Sequence, residues 1–339
     1  MKEKRLQLIG VGSPVIDYVT EVQEETISLA CGEKGGMELV DSHQLDGFLN
    51  LADKRTKRTP GGSAGNTTFA LARMVMDCAF LGKLGDDPNG SYYREKFNEV
   101  GGDCSRFKND GHQPTACCVS LVTPDSERTM RTCLGAAQSL TPEEIALSDF
   151  EGCRHVHVEG YLVFNRLLIE HILQTAKCAG CSVSLDLGSF EVVRESRGFL
   201  PEFLSRYVNI VFANADEAAE FTGDDDPETG LVALGQLCHI AAVKVGADGA
   251  WLKKGGRTVK VSALPTEHLL DTTGAGDYWA AGFLYGYLND LSLTESGVVA
   301  SLLGRNVIEH HGAVLPQKAW EGIFAETAVL SNKKERIEC

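Results

Sequence analysis

The chain has 339 residues, with 32 lysines and arginines against 47 acidic residues, a net charge of −15, and 43% hydrophobic and 23% charged residues. That composition supports a sizeable globular core, and its acidic balance argues against nucleic acid or an anionic membrane as the main partner. No apolar run reaches the roughly 18 residues of a transmembrane helix, no secretory h-region follows the basic start, and eleven cysteines, an odd number, read as reduced thiols in a cytoplasmic protein.

Short apolar strands alternate with helical patterns, the mark of βαβ units around a parallel sheet. Strands are predicted at 6–11, 79–84, 155–159, 182–186, 210–213 and 241–245. Helices are predicted at 64–76, 91–100, 167–179, 216–221, 276–288, 297–310 and 317–327. The first strand runs into Gly10-Val-Gly12, and Asp17 lies just beyond its C-terminal end, where open α/β sheets bind ligands. Val15 stands where a dinucleotide fingerprint needs glycine. Two stretches, about 18–58 and 114–134, break the α/β rhythm. They are expected to pair as a small antiparallel sheet, with Pro124-Asp-Ser-Glu as a hairpin turn, projecting as a lid. Arg128 and Arg131 are three apart on a predicted strand and so face opposite sides.

Between these stretches lies Pro60-Gly-Gly-Ser-Ala-Gly-Asn66. Gly61 and Gly62 permit backbone approach to a ligand, and Asn66 offers both donor and acceptor. Further on, Cys153, His155 and His157 alternate along a strand, and Cys178-Ala-Gly-Cys181 has no second pair to complete a zinc site. Both are read as structural rather than metal-binding. The tail, 331–339, is charged.

The densest signal is Asp271-Thr-Thr-Gly-Ala-Gly-Asp277, which runs straight into the helical pattern 276–288. Gly274 and Gly276 allow a tight turn. The first amides of the helix, with its dipole, form an anion site that needs no lysine. Asp277 in that first turn is placed to accept a proton from a hydroxyl. A cradle for negative charge beside a base is what phosphoryl transfer to an alcohol requires. No Gly-x4-Gly-Lys-[Ser/Thr] loop is present.

These segments together resemble a known family. Asp271–Asp277 resembles the C-terminal signature of the PfkB (ribokinase, adenosine kinase) family, and Pro60–Asn66 its N-terminal signature. Gly82-Lys-Leu-Gly-Asp-Asp87 with Gly90, and Asn214-Ala-Asp-Glu217, match further family motifs, all in the family's order over roughly 6–315. The resemblance implies a ribokinase-like three-layer α/β fold. It would comprise one kinase domain, 1–330, with a mainly parallel central sheet and a small β-sheet lid. It implies ATP and Mg²⁺ as cofactors, and a small-molecule sugar or nucleoside substrate phosphorylated on an alcohol group.

Carried over residue by residue, Asp277 is the base, and Gly274, Ala275 and Gly276 supply the cradle. Asp17, Gly61, Gly62 and Asn66 hold the acceptor's hydroxyls. Of the two lid arginines, Arg131 is taken to reach the transferred phosphate, and Tyr161 to stack on a base. Asn214, Lys244, Gly246, Gly249 and Asn306 belong to the nucleotide site, and Glu217 organises Mg²⁺ through water. Asp271 with the stretch from Gly312 resembles a K⁺ site, and a homodimer through the lid is a further option the family offers. Ser13 stands where the family often has asparagine, which puts one acceptor contact in question. The segments Glu33–Asp41 and Glu127–Ala136 look like bacterial adenosine-kinase relatives, so nucleoside and free sugar compete as acceptor. A non-catalytic sensor of the same fold is the alternative from another class.

Overall fold

The computed structural model describes residues 6–30, 34–50, 56–125 and 128–335. The basic start, part of the charged run 53–58, Ser126 and Glu127 of the expected hairpin turn, and 336–339 of the tail lie outside the described residues.

The strands are β1 Leu8–Val11, β2 Val15–Glu21, β3 Met37–Leu39, β4 Lys57–Gly61, β5 Cys78–Leu81, β6 Lys83–Gly85, β7 Lys108–Asp110, β8 Ala116–Val122, β9 Arg128–Cys133, β10 His155–Glu159, β11 Ser182–Asp186, β12 Ile210–Asn214, β13 Ile240–Lys244, β14 Ala250–Lys254 and β15 Arg257–Val261. Among the described residues, eight strands form one sheet in the order β15-β14-β13-β12-β11-β10-β1-β5. From β13 through β5 the pairing is parallel, and β14–β15 close one edge as an antiparallel hairpin.

Alternation along each strand splits the core in two. Leu8, Phe80 and Phe212 pack on one face with Trp279 and Phe283 of the helix Ala275–Leu288. Ile9, Val11, Val156 and Val158 pack on the other with Leu168 and Ile172 of the helix Arg166–Cys178. This burial of both strand faces is why apolar runs read as strands in the sequence. The alternating His155 and His157 are buried in this sheet, held by the hydroxyls of Ser182 and Ser184 at 2.7–2.9 Å, which is the structural reading of those histidines.

Among the described residues, a second sheet has five strands, in the order β3-β9-β8-β2-β4. It joins both segments that break the α/β rhythm, but it is mixed, not antiparallel as expected. β2 runs parallel to β8, and β3 parallel to β9. The pairing joins chain segments about a hundred residues apart, so local turn chemistry gives no sign of its direction.

The motif at Gly82–Asp87 has a structural use. Asp87 caps the helix Pro88–Glu99 by accepting from the Gly90 amide at 2.7 Å. It also takes the Thr115 amide at 2.8 Å and the Thr115 hydroxyl at 2.7 Å, which anchors the entry to β8. The C-terminal helix extends over Gln317–Glu335, into the stretch expected as a tail. No helix of the described residues is long and apolar enough to cross a membrane.

Candidate active site

From β1 the chain goes to β5 on one side of the main sheet, while β10 to β13 extend on the other. The gap between β1 and β10 is therefore the topological switch point, where ligands bind in open α/β sheets. A cleft of about 1060 Å³ opens there between the two sheets. It is large enough for two small molecules side by side.

Two helix starts meet at its floor. The helix Ser63–Arg73 begins after Gly62, which holds φ +90°, and a Cβ there would collide with the Ser13 carbonyl oxygen. The helix Ala275–Leu288 begins after Gly274, at φ +75°. Both are backbone positions that favour glycine. Asp277 lies between the two starts. Its Oδ1 accepts from Ser63 Oγ at 2.8 Å and its Oδ2 from Asn66 Nδ2 at 2.8 Å. Burial lifts the Asp277 carboxyl to about 6, and Asn66 and Ser63 hold it from going higher. Asp17, on β2, lines the same end of the cleft, and burial lifts it to about 7 against the pull of Arg128.

Gly61 is not on the cleft wall. It makes room for Asp17 instead, because a Cβ at Gly61 would collide with Asp17 Oδ2. Gly61→Ala is therefore expected to raise the acceptor KM about tenfold or more by turning that carboxylate. The ATP KM should stay within about twofold; equal rises in both would point to general misfolding instead. Glu159 joins the two loops: its Oε1 accepts from the Ser13 amide at 2.8 Å and its Oε2 from the Ala64 amide at 3.1 Å.

Further along the cleft lie Asn214, Glu217, Lys244, Gly246 and Gly249. Asn214 and Glu217 form a reciprocal cap at the start of the helix Ala215–Thr222, with three bonds of 2.8 Å between them. Lys244 Nζ sits 3.0 Å from Asp186 Oδ2. Asp271 stands beside Gly312, as the family resemblance implies: its Oδ2 accepts from the Gly312 amide at 2.6 Å and its Oδ1 from the Thr273 amide at 3.0 Å.

Besides Gly61, two expectations are corrected. Arg131 does not face the cleft; it is buried behind β9, 3.3 Å from Glu38 and bonded to the Met130 carbonyl. Met130 and Thr132 line the cleft, so strand alternation sends Arg131 to the other side. Arg128 lies on the cleft side and bonds Asp271 and, at 2.8 Å, Thr273 Oγ1. Asn306 is turned into its own helix, where Nδ2 donates to the Leu302 carbonyl at 2.8 Å, and Gly304, Arg305 and Ile308 face the cleft in its place. Tyr161 lines the cleft as expected, 40% exposed, with its hydroxyl donating to the Gly188 carbonyl at 3.2 Å.

Sequence reasoning missed Ser63, Arg128 and Asp186. Asp186 carried a usable signal, since it ends the predicted strand 182–186, and in the structure Asn214 and Lys244 end strands in the same way.

A cleft at the switch point, with a carboxylate set in the first turn of a helix, fits a phosphotransferase acting on hydroxyl groups. The chain belongs to the pfkB family of carbohydrate kinases, whose model matches residues 38–320. A curated relative, an uncharacterised sugar kinase of Archaeoglobus fulgidus, is 28% identical over 246 residues, 72% of this chain and 96% of the relative. The crystal structure of a probable sugar kinase from Rhizobium etli superposes with a TM-score of 0.85 at 30% identity, covering 96% of this chain and 99% of that one. The crystal structure of adenosine kinase from Sinorhizobium meliloti superposes with a TM-score of 0.84 at 28% identity, covering 95% and 99%. The protein is thus a sugar or nucleoside kinase, and the family implies ATP as phosphate donor.

Proposed function

We propose that this kinase transfers the γ-phosphoryl group of ATP to a primary hydroxyl of a ribosyl nucleoside. The observation that carries the chemistry is Asp277, fixed by Ser63 and Asn66 at the start of the helix Ala275–Leu288. The acceptor hydroxyl attacks the γ-phosphorus, the bond to the ADP oxygen breaks, and the hydroxyl proton passes to the Asp277 carboxylate. The amides of Gly276 and Asp277 stabilise charge on the phosphoryl group in transit, while the Ala275 amide donates to the Thr272 carbonyl at 3.1 Å and shapes the turn. Asp17 and Asn66 bind the acceptor's other hydroxyls.

The choice of nucleoside over free sugar rests on the walls beyond Asp17. Val15, Cys118 and Met130 of the smaller sheet present a largely apolar surface to the cleft, and Tyr161 offers a ring. A free sugar sets a small C–H face ringed by hydroxyls against such a surface, whereas a nucleobase buries two broad faces there. The smaller sheet acts as a lid that excludes water and so limits ATP hydrolysis.

On the nucleotide side, Lys244, Gly246 and Gly249 border the phosphates. Mg²⁺ commonly keeps several waters and takes one or two carboxylates together with phosphate oxygens. Glu217 faces the cleft and is of that kind, so it would hold the ion through water. The ion would neutralise the β and γ oxygens.

The test is ADP release with Mg-ATP across a panel of nucleosides and free sugars, with Asp277→Ala as control. Stimulation by a nucleoside, absent in the variant, is the expected result. Stimulation by free sugars alone would overturn the acceptor assignment and leave the chemistry standing.

A further inference from the structure

Asp186 ends β11, two strands away from Lys244 at the end of β13. Its carboxylate is nearly buried, with 5% of the side chain exposed. Oδ2 accepts from Lys244 Nζ at 3.0 Å, and Oδ1 accepts from the Gly188 amide at 3.1 Å. The lysine so held has a definite neighbour on its far side. Its Nζ lies 3.0 Å from where a Cβ on Gly276 would stand, so the ammonium rests against Gly276 of the amide cradle. Burial works against that charge, but Asp186 and Glu217 more than offset it, and Lys244 stays protonated.

We propose that Asp186 is a positioning residue, which clamps the Lys244 ammonium beside the cradle so that it meets the negative charge of the phosphoryl group in transit. The inference rests on the proposed use of Gly274–Asp277 as the cradle. The groups facing Lys244 explain why a clamp is needed. Glu217 and Asp277 both attract the ammonium. Without Asp186, Lys244 is free to swing onto Glu217, or onto Asp277, where an ion pair would occupy the base. A lysine is a compact charge on a flexible stem, so its use at one point in space depends on what holds it. Asp186 offsets its own burial with two bonds, and one of them, from Gly188, fixes the carboxylate's orientation.

The experiment compares the wild type with Asp186→Asn, Lys244→Met and the double variant, in steady-state kinetics with Mg-ATP and the acceptor found in the panel. Mg-ADP affinity is read by calorimetry, and folding by circular dichroism and Tm. Asp186→Asn is expected to lower kcat by about 10- to 100-fold while Mg-ADP affinity changes less than about threefold. The double variant is expected to be no slower than Lys244→Met alone, because two residues acting as one unit are not additive. Multiplying losses in the double variant would overturn the clamp. So would a raised Mg²⁺ requirement in Asp186→Asn that Lys244→Met does not share, which would place Asp186 on the metal. Asp277→Asn, run in parallel, separates the failures. If it is inactive while Asp186→Asn turns over like wild type, only the clamp falls; if it stays active, the cradle and base assignment falls first.

Discussion

Asp277→Asn is expected to lower kcat by at least three orders of magnitude and, at pH 8, to raise the melting temperature of the ligand-free protein. The two effects have one cause. Burial lifts this carboxyl from the ordinary 3.8 to about 6. A base with that affinity for protons is ionised at pH 7 yet takes a proton more readily than a solvated aspartate, which suits it to accept one from an attacking hydroxyl. Asparagine keeps the shape: its Oδ1 accepts from Asn66 Nδ2, and its amide donates to Ser63 Oγ. It cannot take the proton.

The stability effect has the opposite sign. The folded state holds the proton more tightly than the unfolded state does. The protonated carboxyl therefore favours folding fully below about pH 3.8, and that advantage is lost as pH rises through about 6. Above that, the folded protein carries an ionised, desolvated carboxylate. The gap between 3.8 and about 6 corresponds to at most about 3 kcal/mol. The difference in Tm between variant and wild type should thus grow from pH 4 to pH 7 and then level off. In the wild type kcat/KM should fall about tenfold per pH unit below about pH 6, a limb that Asp277→Asn lacks. Residual turnover above a few per cent of wild type in the variant would remove Asp277 as the base.

Much of this site is legible in the amino-acid sequence, for a physical reason. Phosphate cradles and tight turns demand glycine at fixed offsets, so Gly62, Gly274 and Asp277 carry their geometry in their spacing. β10 and β11 can be read to the residue because both their faces are buried, which leaves an uninterrupted pattern. Asn306 misleads because an amide on a helix beside the cleft has an alternative that spacing does not reveal: it can bond the carbonyl four residues back. The smaller sheet is harder still. Its strands are short, and its pairings reach across the chain. Which of its arginines faces the cleft depends on the register of β9, and the alternation that separates Arg128 from Arg131 does not say which side is inward.

That register underlies the second large effect. Arg128→Ala is expected to lower kcat/KM for the acceptor about a hundredfold. Arg128 begins β9 and bonds both Asp271 and Thr273, so one guanidinium ties the smaller sheet to the loop that feeds the cradle. Asp271 is held below the ordinary carboxylate range although burial opposes this, because the Gly312 and Thr273 amides and Arg128 all favour its anion. Removing the guanidinium leaves a largely buried charge with the Gly312 and Thr273 amides and the Thr273 hydroxyl, and takes from Thr273 its bond to Arg128. Lysine should recover only part of the loss, since its ammonium lacks the rigid planar fork whose separate nitrogens meet the Asp271 carboxylate and the Thr273 hydroxyl. The same guanidinium draws down the proton affinity of Asp17, so without it the Asp17 carboxyl should rise above about 7 and the acceptor KM should climb at a higher pH than in the wild type. Arg128 also places a positive charge on Asp271, where the family resemblance would put K⁺. Equal rates in Na⁺ and K⁺ are therefore expected for the wild type, and a monovalent-cation requirement is expected to appear only in Arg128→Ala. A variant with unchanged kcat/KM and no cation response would show that the link between sheet and loop has no part in turnover.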